Sequence, residues 1–132
     1  MKVETITPSN TPTPIGPYNH IAKAGQFISI GGIAGVDPKT GNLAGSDVSA
    51  QTIQIITSFR EMLNQVESDL NHIIHINVFL KDMRDFESMN RAYIQAMGDC
   101  RPARTVVGVN ELPKPGVILT MNLTAVTRDS TK

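Results

Sequence analysis

Residues 117–126 limit what this chain can fold into more than any other segment. Val117, Leu119, Met121, Leu123 and Ala125 fall on one side of an extended strand, and Ile118, Thr120, Asn122, Thr124 and Val126 on the other. This period-two alternation predicts a strand with one wholly apolar face. The second face is mixed rather than charged, as is a face that meets a pocket or another subunit. Such a strand needs a helix layer on its apolar side and some cover on the other.

The rest of the chain supplies the helices but no third layer. Residues 7–17 hold four prolines and read as a loop or extended arm. Residues 18–24 and 26–33 read as two strands of a hairpin around Gly25, after a short strand near residues 2–5. Gly31-Gly32 interrupts the second of these, as at a bulge or a close approach of backbone to ligand. Asp37-Pro38-Lys39-Thr40-Gly41 is turn chemistry. In residues 47–67 the apolar period becomes helical, with Asp47 or Ser49 as cap. Residues 72–80 are β-branched and apolar, a strand. Residues 85–97 form a second helix, with Asp85 as cap and Gly98 as its stop. Residues 104–109 give the next strand. The order β-β-β-α-β-α-β-β predicts an α+β sandwich, a mixed sheet with two helices on one face. Its open face calls for a second copy of the chain.

Composition narrows the function. At 132 residues the chain is expected to be one domain, 1–132. Twelve basic and twelve acidic residues cancel, so no basic field predicts nucleic-acid binding. No apolar run reaches a membrane span, and the first residues carry no export signal. The single Cys100 fits a reducing cytoplasm.

Arg104 is the residue most telling of chemistry. Pro102 favours an extended entry, and Val106 to Val109 read as a buried strand. A permanent cation at the head of an apolar strand needs an anion, and a guanidinium fork matches a carboxylate. That anion is either a small carboxylate ligand or an acidic residue of this fold or of a neighbouring subunit. Asn90 is a poor helix former placed mid-helix, facing either solvent or a site. Tyr93 reads as a core-edge residue.

Other constellations are weaker. His72 and His75, on a strand, point to opposite faces, and no metal-ligand spacing occurs. Cys100 beside Arg101 reads as a loop cysteine. Gly31-Gly32 lacks phosphate-loop spacing. Glu111 and Asp99 have no partner for paired-carboxylate or triad chemistry.

Several segments fall in an order that resembles one family. They are Ile15-Gly16-Pro17-Tyr18, Ile30-Gly31-Gly32-Ile33, Asp37 to Gly41, Gln51-Thr52, Val78 to Met83, Asp85-Phe86, Met89-Asn90-x-x-Tyr93, Pro102-Ala103-Arg104 and Leu112-Pro113. The chain is identified as a divergent member of the RidA/YjgF family of reactive-intermediate (enamine/imine) deaminases, across about residues 3–128. The resemblance implies a chorismate-mutase-like fold and a homotrimer whose sheets form a central barrel with clefts between subunits. It implies cofactor-free hydrolysis of enamines and imines to 2-oxo acids and ammonia. Arg104 would grip the substrate carboxylate, Tyr18 would close the cleft, and Asn90 would join them. Backbone near Gly31 and Val106 would line it.

Four positions depart from the deaminase pattern. Gly31 stands for the usual serine, Ile33 for glutamine, Val106 for cysteine, and Thr120 for the glutamate thought to hold the attacking water. Threonine can orient water but cannot take a proton at neutral pH. Two functions follow as expectations: imine deamination, and non-enzymatic binding of a small carboxylate metabolite by a trimer. A ribonuclease, ascribed to some relatives, fits the zero net charge poorly.

Overall fold

The computed structural model describes residues 1–128. The expected one-domain span reaches 132, and its residues 129–132 lie outside the described ones. The elements follow the predicted order: β1 (Val3–Ile6), β2 (Ile21–Ala24), β3 (Phe27–Ile33), α1 (Val48–Gln65), β4 (Ile73–Leu80), α2 (Phe86–Met97), β5 (Ala103–Gly108) and β6 (Leu119–Val126). The strands make one sheet in the order β1-β2-β3-β6-β4-β5. All neighbours are antiparallel except β4 and β5. That parallel pair needs a long crossover, and α2 provides it.

The apolar face of β6 is the centre of the core. Leu119, Met121, Leu123 and Ala125 are no more than 2% exposed. They share one cluster with Ile55, Ile56 and Phe59 of α1 and Met89 and Met97 of α2. The two helices thus cover one face of an α+β sandwich. The opposite face carries the Asn77–Asn122 hydrogen bond (2.9 Å) and leaves Phe27 and Val107 exposed.

Helix α1 starts as expected. Asp47 accepts from the Ala50 N–H at 2.7 Å, satisfying an otherwise orphaned donor. Helix α2 differs. Asp85 holds the cap position but makes no side-chain hydrogen bond there. A 3-10 turn, Met83–Asp85, runs directly into the helix, and Asp82 caps that turn by accepting from the Arg84 N–H.

Strand β2 begins at Ile21 rather than at residue 18. The Tyr18 N–H turns back onto the Gly16 carbonyl (2.9 Å) and Asn19 accepts from the Thr7 hydroxyl. Those bonds replace a strand ladder. The β3–β6 register shifts between Ile30 and Ile33, so Gly31-Gly32 is a bulge. His72 lies in a 3-10 turn, Leu70–His72, and not on the strand. Its Nδ1 is 2.7 Å from Asp69, while His75 meets the Thr105 hydroxyl. Among the described residues no helix is long and apolar enough to cross a membrane.

Candidate functional site

The expected site residues fall into two groups on different parts of the sheet. The first lies where β5 meets α2. Arg104 is in register with Ile76 of β4, a core residue, so its side chain leaves the sheet on the helix side. Phe86, Asn90 and Tyr93 are spaced at i, i+4 and i+7 and share a face of α2. The Arg104 guanidinium lies 4.7 Å from the centre of the Tyr93 ring and 6.0 Å from that of Phe86.

No ion pair of the described residues includes Arg104. Asp82 is used by Arg84, and Asp69 by His72 and Arg128. Arg101, in the same segment, spends its guanidinium on the Gly98 and Cys100 carbonyls at the end of α2. Of the alternatives open for Arg104, pairing within its own described fold is therefore not realised. Two further groups nearby lack partners: Asn90 Oδ1 and the Tyr93 hydroxyl, both buried. A buried polar atom without a partner costs about 1–3 kcal/mol and needs an explanation. Burial pushes the Tyr93 phenol above its ordinary pKa, against the opposing pull of Arg104 and then Arg101. Val106, in register with Val78, packs against the core on the same side as Arg104.

The second group lines a cavity of about 420 Å³ under the proline-rich arm. Tyr18, His20, Gly32, Lys114 and Thr120 all contribute to its wall. Tyr18 packs edge-on against His20, with centroids 5.8 Å apart. His20 is 3% exposed, and its Nε2 meets the Pro12 carbonyl at 2.5 Å. Gly31 itself is already engaged, since its N–H donates to the His20 carbonyl at 2.9 Å. Gly32 borders the cavity instead, and a Cβ there would meet nothing within 4 Å.

Gln51 holds this wall in place. It is fully buried. Its Nε2 donates to the Gly45 and Gly116 carbonyls at 2.9 and 3.1 Å, and its Oε1 accepts from the Ile118 N–H at 2.9 Å. One side chain of α1 thus fixes the approach to β6, and with it Thr120.

A single chain does not bring the two groups together. Gly31 is on β3 and Arg104 on β5, with β6 and β4 between them. Three interstrand steps separate them by about 14 Å. Among the described residues no group of three or more His, Cys, Asp or Glu could hold a metal ion.

The sequence names Arg104, Asn90, Tyr18 and Thr120, gives Tyr93 only as a core-edge residue, and does not single out His20. His20 carried no motif of metal or triad chemistry. The proline-rich arm beside it was the available signal, because an arm without its own ladder must be anchored by side chains.

The class defined by this fold and site is a small α+β sandwich whose arginine, like the buried polar groups beside it, has no partner among the described residues. The family model described as Endoribonuclease L-PSP matches residues 8–127, and the chain belongs to that family, in which the RidA and YjgF proteins fall. A RutC family protein of Pyrococcus horikoshii is 42% identical over 115 residues, covering 87% of this chain and 91% of the relative. The chloroplastic Reactive Intermediate Deaminase A of Arabidopsis thaliana is 28% identical over 113 residues, covering 86% and 60% of the two chains. Among solved structures, the YjgF gene product of E. coli superposes with a TM-score of 0.86 at 32% identity, covering 95% of this chain and 99% of that one. E. coli TdcF with bound serine superposes with a TM-score of 0.87 at 28% identity, with 95% and 99% covered.

Proposed function

We propose that the protein hydrolyses reactive imines and enamines to 2-oxo acids and ammonia, without a cofactor, in clefts between the subunits of a homotrimer. The observation that carries this reading is Arg104. Its guanidinium sits on the Tyr93 ring with no carboxylate partner among the described residues. A substrate carboxylate would be that partner. Asn90 Oδ1, an acceptor left bare, would take an N–H of the imine.

Assembly follows from the separation of the two groups. Gly32 lies three interstrand steps from Arg104, and Thr120, in register with Phe79, leaves the sheet on the face opposite to Arg104, so a second copy supplies them together with Tyr18. The exposed Phe27 and Val107 on the open sheet face support that packing. Binding of a small amino- or oxo-acid is supported by the similarity to TdcF with bound serine. We place the protein in the cytoplasm, as the lone cysteine suggests.

A second reading, carboxylate binding without turnover, is favoured by Thr120 alone, since a hydroxyl there cannot act as a base. Imines generated in situ by an amino-acid oxidase, with semicarbazone formation as the reporter, separate the two. Faster loss of the imine with wild type, and not with Arg104→Ala, supports the deaminase. Binding of 2-oxo acids with no effect on any imine tested supports the binder. Cleavage of RNA by purified wild type, lost in Arg104→Ala, would replace both.

A further inference from the structure

We propose that His20 is the proton-transfer residue of this cleft, a role that rests on the imine-deaminase reading above. Hydrolysis of an imine needs a group that takes a proton from the attacking water and returns it to nitrogen. Thr120 cannot serve. The other ionisable side chains in the cavity wall are Tyr18 and Lys114, and neither a phenol nor an ammonium group offers a ring nitrogen that accepts while its neighbour donates. Imidazole is the side chain that can accept a proton at one nitrogen while donating from the other.

The hydrogen bonding of His20 fixes which nitrogen acts. A backbone carbonyl only accepts, so the bond to Pro12 requires the proton on Nε2. In the neutral ring Nδ1 then keeps its lone pair. That atom is buried and has no partner, although its residue lines the cavity that also holds Thr120 and Tyr18. A ring held at one nitrogen by a fixed acceptor and bare at the other has the arrangement of a general base. A water brought into the cleft with the ligand would be the partner that Nδ1 lacks.

The step balances with water as the only co-reactant. Water adds to the carbon of the iminium, the C=N π pair moves to nitrogen, and a water proton passes to Nδ1. The imidazolium returns that proton to the amine nitrogen. The C–N bond then breaks with its pair on nitrogen, and the hydroxyl oxygen forms the carbonyl as its proton returns to Nδ1. Ammonia takes up that proton and leaves as ammonium. Arg104 of a second copy holds the carboxylate throughout.

His20→Gln tests this, because the glutamine amide can still donate to the Pro12 carbonyl but has no basic nitrogen. The expected result, on imines made in situ, is kcat lower by about 100-fold with KM within about twofold. The acid limb of the pH–rate profile is expected to disappear, with Tyr18, Lys114 and the opposing Arg104 still present. Turnover within about threefold of wild type would overturn the assignment of His20 and leave the deaminase reading standing. No turnover by wild type would overturn both. Should His20→Gln lose the fold, ¹⁵N NMR of wild-type histidines decides. A bare Nδ1 whose shift moves on adding a 2-oxo acid supports the proposal, and a protonated or unmoved Nδ1 overturns it.

Discussion

The guanidinium of Arg104 rests on the ring of Tyr93, 4.7 Å from its centre, and this contact sets the direction in which β5 offers its charge. A desolvated cation–π contact is worth up to about 2 kcal/mol. Tyr93→Leu is therefore expected to weaken 2-oxo acid binding about tenfold by calorimetry. Tyr93→Phe keeps the ring. It is expected to cost the unliganded protein no stability in a thermal melt, because the hydroxyl it removes has no partner.

Gln51 is the side chain on which the wall of the second group depends. Gln51→Leu is nearly isosteric but deletes bonds to Gly45, Gly116 and Ile118. At about 1 kcal/mol per bond the loss is about 3 kcal/mol. Urea unfolding is expected to show a lower midpoint with an unchanged slope. Turnover is expected to fall as well, since the loop before β6 sets where Thr120 stands.

These two cases show what the sequence made legible. The alternation in β6, the Asp47 cap and the Gly31-Gly32 bulge are local patterns that the structure bears out, although the strand expected from residue 117 begins at Leu119. The bonds of Gln51 and of His20 join positions far apart in sequence or spend a side chain on a backbone carbonyl, and no periodicity encodes that. Asp85 holds the cap position of α2 without a side-chain bond, because a 3-10 turn capped by Asp82 runs directly into the helix. Arg104 was legible because an unmatched charge beside an apolar strand is improbable. Whether its counter-charge came from the fold required the ion pairs themselves.

Asp82 gives a pH-dependent prediction. Its hydrogen bonds to the Arg84 side chain and N–H lower its pKa to about 2, against 3.8 ordinarily. A depressed carboxylate contributes stability above its unfolded pKa and loses it as pH falls through the folded one. The difference in melting temperature between wild type and Asp82→Asn is expected to be constant above pH ~5 and to vanish as pH falls from about 4 to about 2. Asp82 is solvent-exposed, so the difference is expected to be small.

The division of the site between copies predicts complementation. Arg104→Ala removes one group and leaves the other intact, and His20→Gln does the reverse. Each homotrimer then has only damaged clefts and is expected to be inactive. In a ring of three built from both variants, one interface pairs an intact Arg104 with an intact His20. Equal subunits, dissociated and reassembled at random, are expected to recover about a quarter of wild-type activity, because three of four rings are mixed and each has one good cleft in three. Light scattering before and after mixing is expected to give three times the chain mass. Were both groups to work within one chain, mixing would recover nothing.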